Sequence, residues 1–559
     1  NPPIFTTGKY FIPGIFIFLF VIMISSQGLS QYADTADAYF DQAKELIEAG
    51  KYLEAARSFE KSAAAEIKTE KPRMADLALA YYNAGICYYI IAEYKVALNY
   101  FKQSNEIYYK IIDELNEAKT YNKIGDTYLK LQKFDQAEEN YNKALSIYRE
   151  FDIQNKIAAS LNNLGNVYFN LAEYTTASVY YNKSLHIFKT IDAPEGIADT
   201  RFNLGEVFFA QGDFRKASNK YINAHEVYSD INDLYHCAVS GNRAGLSYFN
   251  LGLYDSALFY YNKGLEIFKR LNDQRGMAVS FNYIGEVYFA QSKPDKALEY
   301  YNQSLYSYKQ LNDVQGVAAL LNNIAGIYNA TGAYQKALEN YQLSLSGYRE
   351  TGDDINIATV LNNIGGIYGA LGRYDDAILH YEQAFEIYKK YNAAGKMATT
   401  LNNMGGIYSA WGQYQKALDY SEQAMSIRRS SGEKSEIARM LNNIGGIYES
   451  RGSFEMAVSN YKEAENIYRE LGEMSKVAAV LNNIASVNFS RMNYSKAIEQ
   501  YTEALKISKS LDEKSKMAAI YNNLGSVYNA MEKYDKALEY FNKALNIRKQ
   551  LGEKAGQGV

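Results

Sequence analysis

Residue types that usually carry chemistry are scarce in this 559-residue chain, which has two cysteines, four histidines, six prolines and one tryptophan. Cys87 and Cys237 stand far apart, and a disulfide needs Cα atoms within about 7 Å. Both fall inside helical patterns among apolar residues and are expected to be buried spare thiols. The histidines, His186, His225, His236 and His380, form no HExxH and no paired Cys/His spacing, so no metal site is expected. His236 adjoins Cys237, but neighbours in a helix point about 100° apart, so this is packing rather than a thiol pair. GxSxG, GxGxxG and the phosphate-loop pattern GxxxxGK[ST] are absent, which leaves no motif for a nucleophile or a nucleotide. These absences point away from an enzyme and from a bound cofactor.

Charge of one sign is missing as well. Lys and Arg number 59 against 63 Asp and Glu, a net −4, and neither sign gathers in long blocks. That argues against nucleic acid as the main partner. After residue 40 there is no linker rich in Pro, Gly or Ser, although 559 residues exceed what one compact core accommodates. An array of repeats satisfies both facts.

The first thirty residues differ in kind. Lys9 precedes an apolar run from Tyr10 to Ile24, and Gly28 and Ser30 sit at −3 and −1 of a cleavage point before Gln31. This is the layout of a secretory signal peptide, with an uncleaved membrane anchor through residues 10–24 as the alternative. Interrupted by Pro13, the run falls short of the ~20 residues that span a bilayer. Export to the periplasm or the cell exterior is therefore expected. No Cys follows the run to carry a lipid.

Tyrosine is plentiful, at 54 residues. Sliding the chain by 40 brings residues 81–559 into register without a gap. Ala recurs at every fortieth position from Ala97 to Ala537, and Gly at 85, 125, 165, 205, 245, 285, 365, 405, 445 and 525, with Ala325 and Ala485 between. Residues 31–38 lead into a first unit at 39–80, twelve 40-residue units fill 81–550, and 551–559 begin a further repeat or a tail. Periods of 20–50 residues signal solenoids.

Within one unit, Leu361, Ile364, Gly365, Tyr368 and Leu371 follow helical spacing, and Gly372 offers a left-handed stop. A second helix carries Tyr374, Ala377, Tyr381, Phe385 and Tyr388 and is expected to close in a polar loop around Asn392–Gly395. Prolines respect the scheme: Pro72 and Pro194 open first helices, Pro294 opens a second helix, and the others lie in the leader. Trp411 stands where Leu171, Leu251 and Leu371 stand and is expected to replace a core residue. The small Gly365 and Ala377 predict close approach of the two helices under Tyr368 and Tyr381.

The pattern Leu161, Leu164-Gly165, Tyr168, then Ala177 and Tyr181 resembles the tetratricopeptide repeat. The resemblance covers residues 39–550. It departs in having Leu or Tyr for the usual first Trp, no late Pro, and six extra residues per unit. In this it is similar to the extended arrays of kinesin light chains and LGN/Pins scaffolds and to bacterial tetratricopeptide signalling proteins. The resemblance implies an all-α, right-handed superhelical solenoid of helix-turn-helix repeats, with a concave groove lined by the first helices.

The phrase LNNIGGIY at 361–368 and 441–448, with close copies at 321–328 and 401–408, places paired amides where a surface helix ordinarily carries Lys and Glu. Asn363, Gly366 and Ala370 share the face opposite Leu361 and Ile364, while Asn362 lies on the flank. Gly and Asn are poor helix formers, so another requirement overrides propensity. An amide both donates and accepts, and a column of amides can pair with an extended peptide backbone. In relatives such as O-GlcNAc transferase and kinesin light chain an asparagine ladder occupies this stripe. The resemblance implies Asn163, Asn203, Asn323, Asn363, Asn403, Asn443, Asn483 and Asn523 as its members. The alternative is that the amides bond to one another between neighbouring helices and fix the repeat spacing. Arg243 and Tyr283 interrupt the column, and Glu206 and Glu286 replace its Gly, so the N-terminal half is suited to reading side chains and the C-terminal half to reading backbone.

The function expected is that of an exported scaffold holding an extended peptide or a partner protein. The alternative is the sensor half of a signalling protein, such as a histidine kinase, whose output domain follows Val559. Both ends look incomplete, since the chain starts at Asn1 and stops where another first helix would begin.

Overall fold

A computed structural model describes residues 34–551, and the leader, with the expectations placed on it, lies outside them, as do residues 552–559. Among the described residues the regular elements are all helices. They are α1 (34–48), α2 (Tyr52–Ile67) and a run from α3 (Met74–Ile90) to α26 (Tyr534–Gln550). From α3 onward each helix has 17 residues, except α16 (Tyr334–Thr351) and α20 (Tyr414–Ser431) with 18. Counted by helix pairs, a repeat starts with an odd-numbered helix, so residues 39 and 81 fall inside α1 and α3.

The chain divides into two compact units between Gln291 and Ser292. The first holds α1 to α13 (Gln274–Ala290) and the second α14 (Pro294–Gln310) to α26. In each unit a helix packs on its neighbours in sequence, and first helices of successive repeats also touch, as α7 (Gln154–Asn170) touches α9 (Pro194–Ala210). The cores repeat accordingly. Tyr141, Leu145, Leu161 and Leu164 cluster in the first unit, and Leu401, Ile444, Tyr461 and Leu481 in the second.

Close approach explains the recurring glycine. A Cβ added at Gly165 would lie 2.5 Å from the Tyr181 ring, and one at Gly445 would lie 2.6 Å from Tyr461. Glycine costs a helix about 1 kcal/mol relative to Ala. Burying a ring offsets that: Tyr181 and Tyr461 are fully buried. Other tyrosines stack across the helix pair, as Tyr168 on Tyr180 at 5.3 Å, Tyr248 on Tyr260 at 5.7 Å and Tyr408 on Tyr420 at 5.3 Å.

Helices end in a left-handed residue followed by a reversed turn. Gly372 has φ +72°, its N–H bonds to the Gly369 carbonyl, and the Arg373 N–H reaches back to Tyr368. This is the Schellman arrangement. Pro194 and Pro294 occupy the first helical turn, whereas Pro72 lies two residues ahead of α3. Gly395 belongs to α19 (Ala394–Ala410), so the loop before it is shorter than expected and spans 391–393. Trp411 caps α19 at 38% exposure, stacked on Tyr408, because the position is a rim site: Leu371 is likewise exposed.

Candidate functional site

All eight asparagines of the outer column are half-buried on first helices. Their amides are joined to the flanking column. Asn363 Nδ2 donates to Asn322 Oδ1 at 3.1 Å, Asn403 to Asn362 at 3.3 Å, and Asn443 to Asn402 at 3.0 Å. Asn483 donates to Asn442 at 3.0 Å and Asn523 to Asn482 at 2.9 Å, while in the first unit Asn203 donates to Asn162 at 3.2 Å. In these six cases the outer amide binds the inner amide of the preceding repeat, 41 residues earlier. Asn163 and Asn323 occupy the same place on α7 and on α15 (Val314–Ala330).

An amide carries two N–H donors and a carbonyl with two lone pairs. The ladder bond uses one outer N–H, so the outer carbonyl and the second N–H lie outside it. Inner amides face the helix seam, where Thr400 Oγ1 donates to Asn362 at 3.2 Å and Ser160 Oγ to Asn122 at 3.3 Å. The two amides of a pair have different surroundings, and they are also partners across repeats.

Beside the ladder in the second unit the stripe is smooth. A Cβ at Gly326 or Gly406 would meet nothing within 4 Å, and at Gly366 or Gly446 only a tyrosine hydroxyl, at 3.5 and 3.6 Å. Between α19, α21 (Lys434–Ser450) and α23 (Met474–Ser490) it deepens into a pocket of about 380 Å³ lined by Asn402, Asn442, Asn443, Asn483, Gly406 and Gly446 among others.

The first unit fills the same positions with larger side chains, three of them carboxylates. Asp126, Asn166 and Glu206 stand where Gly366 stands, and they accept from Tyr141, Tyr181 and Tyr221 at 2.8, 2.7 and 2.6 Å. Lys123 pairs with Asp126 at 2.7 Å. Arg243 grips Glu206, with Nε at 2.6 Å and Nη2 also bonded, and lies 5.1 Å over the Phe209 ring. Burial raises the Glu286 carboxyl above its ordinary value. Tyr283 stacks on Tyr261 at 5.1 Å and has no amide to offer, so Asn242 turns its Nδ2 to Ser280 at 2.9 Å and its buried Oδ1 has no partner. Asn242, Arg243 and Tyr283 line a pocket of about 660 Å³.

Two groupings were not visible in the sequence. Cys237 contacts His225 rather than its neighbour His236, with Sγ 3.3 Å from Nδ1, because α10 (Phe214–Asp230) packs on α11 (Leu234–Asn250). Burial pushes the thiols of Cys237 and Cys87 up, the latter to about 11, so neither is an activated nucleophile. Arg428 takes a position filled by Tyr388 and Tyr468 in other repeats, and it bonds Glu433 at 2.6 Å and the Gly395 carbonyl at 2.9 Å. Among the described residues no three of His, Cys, Asp and Glu converge on a metal position, and no helix is long and apolar enough to cross a membrane.

The tetratricopeptide repeat profile matches six successive stretches: residues 76–150, 156–230, 235–310, 316–390, 396–470 and 476–550. The chain belongs to the tetratricopeptide repeat family. A search of curated protein sequences found no match. Among solved structures, the apo form of RapI is similar at 18% identity and a TM-score of 0.40, covering 49% of this chain and 99% of that one. A Rap protein complexed with competence and sporulation factor is similar at 17% identity and 0.40, covering 64% and 98%. A signal-transduction ATPase with a tetratricopeptide sensor from Pyrococcus horikoshii is similar at 16% and 0.44, covering 56% and 47%. Family membership makes this tetratricopeptide chain an all-α repeat scaffold, and the likenesses are too distant to bring a ligand with them.

Proposed function

We propose that this scaffold holds an extended peptide, or an extended segment of a partner protein, along the first helices of its second unit, using the outer asparagine amides. The observation that carries the reading is the ladder beside an uncharged, small-residue stripe. Amide-to-amide bonds at 2.9–3.3 Å hold the outer side chains in one orientation, which lowers the ordering cost on binding. An extended chain advances ~3.3 Å per residue, and packed helices lie ~8–10 Å apart, so a peptide crossing them meets one amide about every three residues. Binding, rather than catalysis, follows from such a surface. Export rests on the leader sequence, Lys9 followed by Tyr10–Ile24.

Each backbone bond contributes only ~0.5–1.5 kcal/mol net. Several must offset the ordering of the ligand, so affinities on the order of micromolar are expected for short peptides. Peptides selected from a random display library serve as probes. Replacing Asn323, Asn363, Asn403 and Asn443 together by Ala is expected to weaken all of them by similar factors. Undiminished affinity for every selected peptide, in a variant whose circular dichroism is unchanged, removes the reading.

A further inference from the structure

One 40-residue repeat lacks the ring that the others carry between their two helices. Ser421 stands where the other 40-residue repeats carry Tyr or Phe, from Phe101 and Tyr141 to Tyr461 and Phe541. The helices have not closed over the gap. A Cβ at Gly405 would lie 3.0 Å from the Ala417 carbonyl, against 3.1 Å for Gly365 and the Ala377 carbonyl in the preceding repeat, where Tyr381 is present. What changes is the space. In place of a ring, a Cβ at Gly405 would meet the Ser421 hydroxyl at 2.6 Å, and Gly406 has no tyrosine hydroxyl within 4 Å as Gly366 and Gly446 have. Gly326 is as open as Gly406 although its repeat carries Tyr341, so the difference that belongs to this repeat is the serine at 421.

The vacated volume opens into the pocket of about 380 Å³ on the ladder face, which Ser409, Ser421 and Ser450 line together with the amides. A cavity of ~150 Å³ is enough to take a benzene ring. The pocket therefore accommodates the missing side chain with its direction reversed, entering from the groove past Gly406 and ending at Ser421. The serine hydroxyls offer a phenol both donors and acceptors. Asn443 and Asn483, two of the outer ladder amides, line the same pocket.

We propose that this pocket receives a tyrosine-type side chain of the bound peptide, so that the ligand supplies the ring this repeat lacks. The proposal deepens the peptide-binding reading and rests on it for the source of the ring. It also gives an otherwise sequence-tolerant ladder a side-chain anchor and a register.

The test uses the whole chain and p-cresol, the side-chain analogue of tyrosine. Ligand-observed NMR is expected to detect p-cresol binding to the wild type and to lose it in Ser421→Tyr, which refills the position from inside. The Ser421→Tyr protein is expected to melt at a higher temperature, because it removes a void. Gly406→Leu, at a position where an added Cβ meets nothing within 4 Å, places a branched side chain at the pocket wall on the groove side and is expected to weaken p-cresol binding independently. Library-selected peptides are expected to contain an aromatic residue whose change to Ala costs tenfold or more in affinity, on the order of what burial of a ring supplies. That penalty is expected to vanish in Ser421→Tyr. Failure of p-cresol to bind the wild type, or equal binding to both variants, overturns the pocket. Binding of p-cresol without any selectable peptide keeps the pocket and overturns the peptide reading instead.

Discussion

The tyrosine rings hold neighbouring helices together, and their burial has a measurable cost at high pH. Burial pushes the phenols of Tyr341, Tyr381 and Tyr501 up from 10.0 to about 12. A phenol whose folded value is raised favours the protonated form in the native state. The unfolded chain ionises first, so stability is intact below about 10 and is lost as pH rises from about 10 to about 12. Urea midpoints measured through that window should fall, and phenolate absorbance should rise in step with unfolding. A midpoint that stays flat over the window counts against the burial argument. At this scale the sequence made the small-and-large pairing legible, since Gly165 and Tyr181 recur at a constant offset. Ladder polarity was not legible. A helical wheel separates Asn362 from Asn363, but which amide meets which depends on the stagger between helices, and only the folded chain shows Asn363 reaching back to Asn322.

At the scale of the element, the turns show how packing overrules local preference. Every twentieth residue from 92 to 532 is left-handed, and at fourteen of these positions it is not glycine. The glycine stops, such as Gly372, were legible because the residue type states the conformation. Ala92, Ile112 and Met492 adopt the same φ because equal helices on a constant period leave three residues for each reversal. Ile112, at φ 58° and 78% exposed, is the clearest case, since β-branched residues avoid this region. The left-handed conformation costs an L-residue ~1–2 kcal/mol, and glycine gives back ~0.4–1 kcal/mol through the freedom of the unfolded chain. Ile112→Gly is therefore expected to stabilise by about 0.5–1 kcal/mol. The control is Ile111→Gly, at φ −92° and packed against the buried cluster that includes Ala78 and Tyr108, which is expected to destabilise. Urea midpoints that move in the same direction for both changes contradict the assignment of strain to residue 112.

For the molecule, the important fact is that tertiary contacts stay local. Within each unit helices touch the next element in sequence and, for first helices, the next first helix, as α7 touches α9 and α19 touches α21. Stability of such an array is approximately a sum of repeat terms and neighbour interfaces, so unfolding need not be all-or-none. The interior repeats bury both faces of a pair: α17 (Asp354–Ala370) buries Val360, Leu361, Ile364 and Ile367, and α18 (Tyr374–Lys390) buries Ala377, Ile378, Tyr381, Ala384 and Tyr388. In α26 only Ala537 and Ala544 are buried, and Leu538 is 62% exposed. Among the described residues α26 packs on α25 (Lys514–Ala530) and buries little apolar area, so opening it breaks one interface there, whereas opening α18 breaks two. Native-state hydrogen exchange on the 559-residue chain is expected to give slow exchange in α17 to α19 and markedly faster exchange in α26. A bound peptide should slow α17, α19 and α21 and leave α26 unchanged, because the ladder amides sit on first helices. Protection that is uniform from α17 through α26, rising everywhere by the same factor on binding, would describe one cooperative body instead and would remove the neighbour-only account of its stability.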